Sequence, residues 1–421
     1  MVNRNCRSSR KKSSIPSGGT IFVRRLPPDM PMKRSIETER IPIKLWLDEV
    51  EEGALRQAKN LANFPFAFHH IALMPDAHQG YGMPIGGVLA TTEVIVPNAV
   101  GVDIGCGMCA VRTSLDHLEQ AEIKKILSLV RSRIPLGFRH HRRPQSETDM
   151  VEVEGDLEEL CPVVAGEYKS ALHQLGTLGS GNHFIEIQQG DDGRIWLMVH
   201  SGSRNLGYTV AGYYNRLAVR LNSQWKVSVP ANWQLAFLYL DSEEGQRYLR
   251  EMRYCVDFAL ANRRLMMRRL QEAVLQIKPE ASFEPMINIA HNYAAMERHF
   301  GCEVMVHRKG ATRARSDEIG IIPGSQGAAS YIVRGLGNPD SFMSCSHGAG
   351  RKMGRRQARR ELDLETELRK LSRQRVIHSI RSRKDLDEAP GAYKDIDQVM
   401  ADQADLVEIL EQLSPLAVIK G

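Results

Sequence analysis

The chain has 421 residues, 42% of them hydrophobic and 25% charged, with a formal net charge of +6. That composition belongs to the globular class with enough chain to bury a large core, and no run of about 18 apolar residues is present to span a membrane as a helix. Residues 1–40 hold ten Lys/Arg against three Asp/Glu, so the high pI belongs to the tail and says little about the body.

In chain order, residues 1–40 read as a basic, flexible extension. A nucleic-acid-binding arm is the sharper alternative, and Met32 offers another start. No continuous apolar stretch follows the first basic residues, as a secretory signal would require. Seven cysteines without a regular framework fit reduced, intracellular thiols better than disulfides, and the expected location is cytoplasmic. Residues 41–421 read as one catalytic domain. Residues 41–46 are a short strand. Residues 48–64 form an amphipathic helix, with Asp48 as N-cap and Glu51 at the capping-box position. Residues 71–74 are a buried strand, and short β-prone runs follow at 87–90, 94–96 and 110–113, punctuated by Gly and Pro. A helix is expected over 115–133, then a basic connection through Arg139-His140-His141-Arg142-Arg143. Strands at 184–187 and 195–199 flank Gly190-Asp-Asp-Gly193, a hairpin turn. Residues 246–276 form a long helix with Leu249, Met252, Val256, Ala259, Met266, Leu270 and Val274 on one face. Short strands follow at 303–307 and 316–322. A charged helix is expected over 357–373, an amphipathic helix over 398–413 and a last strand over 416–419. Helices and strands do not alternate regularly, so the fold class is α+β, one large domain with mixed β-sheets flanked by helices.

The chemistry concentrates around Gly101-Val-Asp-Ile-Gly-Cys-Gly-Met-Cys109. Glycines let the backbone turn tightly enough to aim Asp103 and Cys106 at one point, as a pair of metal ligands. Five islands carry His beside Gly, Asn or Ser, at His183, His200, His291, His307 and His347. With Asp103 and Cys106 they supply N, O and S donors for two ions. Gly324-Ser-Gln-Gly-Ala-Ala-Ser330 could cradle an anion, although any tight turn looks similar. Arg204, Arg308, Lys309, Arg351 and Arg355 lie beside the islands, suited to phosphate. Residues 351–384 carry thirteen Lys/Arg against four Asp/Glu, either a solvated helix face or a nucleic-acid track. There is no Gly-x4-Gly-Lys-Ser/Thr, no Lys-x-Asp-Gly and no His-Glu-x-x-His. A P-loop, a lysine-adenylate ligase and a zincin protease are therefore disfavoured.

Several colinear segments together resemble the RNA-splicing ligase RtcB family. They are Met74-Pro-Asp-Ala-His-Gln-Gly-Tyr-Gly82, Gly101-Val-Asp-Ile-Gly-Cys-Gly107, Gly181-Asn-His-Phe-Ile-Glu186, His200-Ser-Gly-Ser-Arg204, Asn288-Ile-Ala-His-Asn292, His307-Arg-Lys-Gly-Ala311, Pro323-Gly-Ser325 and Ser346-His-Gly-Ala-Gly-Arg351, with Ala389-Pro-Gly-Ala-Tyr-Lys394 and Lys420-Gly421 at the end. The resemblance implies a GTP-dependent ligase with two Mn(2+) ions per site. Cys106 would bridge the ions, Asp103 and His183 would complete one site, and His200 and His291 the other. By softness alone the donors would favour zinc, so manganese enters from the family. His347 would be the guanylylated nucleophile and Asp76 its orienting acceptor. Glu186 would read guanine, with Asn182, Phe184, Ser325, Ser330 and Lys420 as further nucleotide contacts. Arg204 and Arg355 would hold RNA phosphates. The implied substrates are RNA ends bearing a 3′-phosphate or 2′,3′-cyclic phosphate and a 5′-hydroxyl, in tRNA splicing or RNA repair, with an archease-type activator as an expected partner. Cys109 falls outside this ligand set and reads as packing. Gln326-Gly327-Ala328 departs from the Met-Gly-Thr or Met-Gly-Ala often found in the family. Two other classes compete: a metal-dependent phosphoesterase acting on RNA ends without ligation, and a non-catalytic RNA-binding scaffold.

Overall fold

The computed structural model describes residues 23–25, 31–152 and 154–421. Most of the basic tail therefore lies outside the described residues. Within it, Val23–Arg25 pairs with Arg34–Ile36, and Arg34–Ile36 pairs with Ile43–Leu45, so part of the segment joins a sheet.

That sheet has seven strands, in the order Val23–Arg25, Arg34–Ile36, Ile43–Leu45, Ala67–His78, Ile85–Thr91, Cys302–Lys309, Asn292–His299. Its one parallel pair is Ile43–Leu45 with Ala67–His78. The strand period of two sends Ile71 and Leu73 to one face, against Ala58 and Leu61 of helix Glu52–Ala62. Ala72 and Met74 face the other way, with Val88, Val304, Phe342 and Val399. The second seven-stranded sheet is antiparallel throughout, in the order Ile287–Ala290, Gly107–Arg112, Ile195–Ser201, Phe184–Gly190, Val407–Lys420, Ser330–Gly335, Ile319–Ile322. Ile185, Ile187, Leu197 and Val199 pack under helix Gln120–Arg133 and the 33-residue helix Glu243–Leu275, against Ile126, Met266 and Leu270. Among the described residues no helix is long and apolar enough to cross a membrane.

The α+β reading holds, and the hairpin at 190–193 forms as expected, with Gly193 N–H donating to Gly190 O at 3.0 Å. Several element readings change. The first helix begins at Glu52, with Glu51 as its N-cap and no side-chain cap, not with Asp48. The Glu51 carboxylate instead accepts the backbone N–H of Gln79 at 3.0 Å. The helix expected over 357–373 is two, Arg355–Glu361 and Leu364–Arg373, because Asp363 caps the second by accepting the Thr366 N–H. The helix expected over 398–413 is wrong: only Ile396–Ala401 is helical, and Val407–Lys420 is a 14-residue strand. Its apolar spacing suited either form, and the open strands Ser330–Gly335 and Phe184–Gly190 took it from both sides. Among the described residues Cys106, Cys109, Cys161, Cys255 and Cys345 are free and buried.

Candidate active site

Between the four-residue helix Pro97–Val100 and strand Gly107–Arg112 the chain turns on Gly101 and Gly105, both at positive φ. A Cβ on Gly105 would lie 2.8 Å from Val256 Cα, so only glycine lets this loop settle on the long helix. The turn closes with Cys106 N–H donating to Asp103 O at 3.1 Å, and it aims both side chains the same way. Gly202 leaves the room this needs, since a Cβ there would sit 2.2 Å from Asp103 Oδ1.

His183 enters from just before strand Phe184–Gly190, His200 from strand Ile195–Ser201, and His291 from between Ile287–Ala290 and Asn292–His299. The Cys106 Sγ lies 3.4 Å from His183 Nε2 and 3.3 Å from His200 Nε2. Two donor triads share that sulfur, Asp103–Cys106–His183 and Cys106–His200–His291, with each triad's donor atoms within 4.8 Å of one another. Two of the rings are already oriented. His183 Nδ1 faces Leu178 O at 3.1 Å and His200 Nδ1–H donates to Asn182 O at 3.2 Å, which turns each Nε2 onto the cluster, where that of His183 also meets Asp103 Oδ2 at 3.1 Å. The buried Nδ1 of His291 has no hydrogen-bond partner among the described residues.

Burial, with neighbouring histidines, holds His200 and His291 well below the usual imidazole range, so both are neutral donors. Burial and then the Asp103 carboxylate push the Cys106 thiol well up. A neutral-imidazole set around a thiol that needs a cation to ionise fits divalent metal ions.

The histidine rings continue outward, His183 to His200 at 5.2 Å, His200 to His291 at 5.3 Å and His291 to His347 at 4.9 Å between centroids. His347 follows strand Ser344–Ser346, which pairs with Ala311–Arg313. Its Nδ1–H donates to Asp76 Oδ2 at 2.6 Å and its backbone N–H to the same oxygen at 3.1 Å. Asp76 is fully buried and stands in strand Ala67–His78, where the register shifts between Leu73 and His78. Lys394 Nζ donates to the carbonyls on either side of it, Pro75 O at 2.9 Å and Ala77 O at 2.8 Å.

Beside this, the neighbouring strands Phe184–Gly190, Val407–Lys420 and Ser330–Gly335 carry Glu186, Lys420 and Ser330, with Glu186 opposite Val418 and Phe184 opposite Lys420. Gln188 Nε2 donates both to Glu186 Oε2 at 2.5 Å and to Ser330 Oγ at 3.0 Å. Lys420 Nζ donates to Asn182 O at 3.3 Å and Glu388 Oε2 at 3.0 Å, and stands 5.4 Å from the Phe184 ring centre. Burial pushes the Glu186 carboxyl up to about 8 despite Lys420. Ser325 sits half-buried in the loop ahead of Ser330, and its carbonyl accepts the Ala328 N–H at 3.1 Å. Gln326 carries the departure from the family pattern. Its Nε2 donates to Glu388 O at 2.8 Å and its Oε1 accepts the Ser379 N–H at 3.4 Å, tying the loop to residues 379–388.

A family model described as tRNA-splicing ligase RtcB matches residues 57–421. The chain belongs to the RtcB family. It is 40% identical over 410 residues to the RNA-splicing ligase RtcB of Escherichia coli, covering 92% of this chain and 99% of that protein. It is 33% identical over 461 residues to the tRNA-splicing ligase RtcB of Thermococcus kodakarensis, covering 91% and 95%. With the RNA-splicing ligase RtcB of Mycobacterium tuberculosis it shares 32% over 437 residues, covering 87% and 100%.

Not every island of this RtcB-family chain reaches the cluster. His307 is a fully buried structural residue, its Nδ1–H donating to Leu89 O at 3.1 Å and its Nε2 accepting the Val96 N–H at 3.0 Å. Arg308 is consumed by Glu297, Ser344 and Phe342 O. Lys309 Nζ donates to Tyr81 O at 2.6 Å and Asn98 O at 3.0 Å, and its chain supports Gly101. Arg204 and Arg355 do reach the site. A Cβ on Gly179 would strike the Arg204 guanidinium at 2.3 Å, and one on Gly181 that of Arg355 at 2.7 Å. Arg355 also pairs with Glu388 at 3.4 Å. Cys109 is core, packed with Val111 and Val199.

Sequence reasoning missed Arg263. Nothing in the apolar periodicity of Glu243–Leu275 marks a fully buried arginine on its inner face. Its Nη1 donates to Gly105 O at 2.9 Å and Ser201 O at 2.8 Å, and its Nε to Asn288 Oδ1 at 2.8 Å. It thereby ties together the segments that carry Cys106, His200 and His291. Arg263→Met keeps most of the volume and removes all three bonds. Metal affinity should fall about 10–100-fold, as when outer partners of ligands are lost, with a lower melting temperature. Metal titration checks this; unchanged affinity would make Arg263 a packing residue only.

Proposed function

We propose that the chain is a GTP- and Mn(2+)-dependent RNA ligase. It joins RNA 3′-phosphate or 2′,3′-cyclic phosphate ends to 5′-hydroxyl ends through a guanylylated His347. The observation that carries this reading is the pairing of His347 Nδ1 with Asp76 Oδ2 at 2.6 Å, one ring away from a double donor triad. A histidine so oriented beside candidate metal donors supports a role as nucleotidyl acceptor.

Asp76 holds the Nδ1–H tautomer, so the Nε2 lone pair of neutral His347 is the nucleophile. It attacks the α-phosphorus of GTP; the P–N bond forms, the P–O bond to the β-phosphate breaks, and pyrophosphate leaves. Asp76 offsets the positive charge that develops on the ring. An RNA 3′-phosphate oxygen then attacks the same phosphorus, the P–N bond breaks, and His347 returns to its neutral form. Finally the 5′-hydroxyl of the second end attacks the activated 3′-phosphate, loses its proton and displaces GMP. A cyclic phosphate end is first hydrolysed to the 3′-phosphate. Asp103, Cys106 and His183 would hold one ion and Cys106, His200 and His291 the other, and ions held there would supply Lewis-acid polarisation and charge compensation at the α-phosphate. Arg204 and Arg355 hold RNA phosphates. The activator of archease type, the cytoplasmic location, and the reading of residues 1–40 as an extension appended to a 41–421 catalytic unit belong to the same proposal.

Guanine offers N1–H and N2–H, and Glu186 supplies the acceptor; Phe184, Asn182, Ser325, Ser330 and Lys420 surround the nucleotide. A pH signature follows. With its carboxyl raised from 4.5 to about 8, Glu186 is mostly protonated at neutral pH, while guanine needs the anion. GTP binding should release a proton at pH 7 and strengthen as pH rises towards about 8, then level off. The stability that the neutral carboxyl provides is fully present below its ordinary pKa and is lost as pH rises through about 8. Calorimetry in buffers of different ionisation enthalpy measures the proton. Glu186→Gln should abolish the pH dependence and weaken the preference for GTP over ATP; undiminished discrimination would remove Glu186 from guanine reading.

The direct test uses α-labelled GTP with manganese, followed by denaturation. Acid-labile, alkali-stable protein label and sealing of a 3′-phosphate RNA to a 5′-hydroxyl RNA are expected. Hydrolysis of a cyclic phosphate end with no label under any divalent metal would favour the phosphoesterase instead.

A further inference from the structure

The basic connection that follows helix Gln120–Arg133 is unused by the chemistry above, and it adjoins the site. Between residues 123 and 146 there are seven Lys/Arg and no Asp/Glu. At the tip of this connection Phe138 is 90% exposed, the most exposed of the large hydrophobic side chains among the described residues. Arg139, Arg142 and Arg143 beside it are also exposed.

The tip is not a loose loop. Leu136 bridges to Gly179, and Gly137 N–H donates to Gly179 O at 2.8 Å. Gly137 turns the chain at φ 64, and Arg139 N–H closes the turn on Leu136 O at 3.3 Å. On the far side His141 N–H donates to His173 O at 2.9 Å, and His173 Nδ1–H returns to His141 O at 2.8 Å. Both ends are therefore pinned, and the aromatic ring is presented from a fixed base.

The pinning point is the decisive part. The loop 179–181 that anchors Gly137 packs on the Arg204 and Arg355 guanidinium groups, and leads directly into Asn182 and His183. The chain terminus Gly421 lies against the same Gly179. A strand whose phosphate lay between Arg204 and Arg355 would run out across this rim.

We propose that the Phe138 tip is a docking element for single-stranded RNA, its ring stacking on an unpaired base of the substrate while Arg139, Arg142 and Arg143 take backbone phosphates. The inference rests on the ligase reading above and adds where the strand leaves the site. A lone exposed aromatic is ordinary on a protein surface. Of the seven cations Arg133 is paired with Glu272, but Arg139, Arg142 and Arg143 beside the ring make no ion pair among the described residues, and exposed rings interleaved with basic side chains are what a flexible polyanion with π-faces binds.

The test uses the full chain and a labelled short single-stranded RNA with a 5′-hydroxyl, in fluorescence anisotropy and in ligation. Phe138→Ala should weaken RNA binding about tenfold, the scale of one lost base–aromatic stack, and raise the ligation KM with kcat little changed. Phe138→Trp should restore binding. Replacing Arg139, Arg142 and Arg143 by Gln should reduce the salt dependence of binding. An RNA with a single abasic nucleotide at the stacking position should bind the unaltered protein more weakly and the Phe138→Ala protein no more weakly still. Label transfer from GTP to His347 reports whether the fold and nucleotide site are intact in each variant. Unchanged RNA affinity and KM in a labelling-competent Phe138→Ala protein would overturn the stacking role alone. Failure of the unaltered protein to bind RNA would overturn the ligase reading, and the docking element with it.

Discussion

His347→Ala should abolish protein labelling by GTP and all sealing of RNA ends, because no other group stands where the ring nitrogen does. Asp76→Asn is the more informative change. It should lower the single-turnover labelling rate about 10³–10⁴-fold, the size of effect seen when a histidine loses its orienting carboxylate. The Oδ2 of Asp76 accepts two donors at once, the His347 Nδ1–H at 2.6 Å and backbone N–H at 3.1 Å. An amide NH₂ turned that way would force the other tautomer and block the lone pair on Nε2. Turned the other way, it would place two donors where Oδ1 is buried with no partner among the described residues. A Cβ on Gly86 would approach Oδ1 to 2.8 Å, so the side chain has little freedom to escape either outcome. Rapid-quench labelling with a thermal melt as fold control measures this; a native rate in Asp76→Asn would show that the ring is oriented by something else.

Cys106→Ala should remove both metal ions, whereas His183→Ala and His291→Ala should each remove one. The reason is topological. Cys106 is the donor common to the two triads, and each histidine belongs to a single triad. Ligation should fall at least about 10³-fold in Cys106→Ala, since charge at the α-phosphate would go unopposed. Equilibrium dialysis with elemental analysis counts the ions. Two ions retained by Cys106→Ala would refute the shared sulfur. The same measurement identifies the metal, for which softness of the donors favours zinc and the proposed reaction calls for manganese.

Which residues were legible beforehand follows from the range of the forces that place them. Asp103 and Cys106 are three residues apart in a glycine-rich turn, so local geometry alone brings them together. The hairpin at 190–193 is local in the same way. His307, Arg308 and Lys309 look in sequence like His347 and Arg351, with the same small and basic neighbours. They differ in strand register. Cys302–Lys309 is flanked on both sides, by Ile85–Thr91 and Asn292–His299, so its side chains meet core or buried partners. The strand Val407–Lys420 shows the same limit, since its apolar spacing allowed a helix until two strand edges claimed it.

The sequence by itself determined the donor types, the metal loop, the α+β class and the colinear motifs that place the chain in its family. The colinear motifs already singled out His183, His200 and His291; only the tertiary structure showed that their donor atoms converge on Cys106 while His307 does not, that Arg263 binds their three segments together, and that the Phe138 tip is pinned to the rim of the site. Those facts are contacts between residues far apart along the chain. Their free energy comes from burial and hydrogen bonds between segments that only the folded sheets bring together, and no local pattern records that.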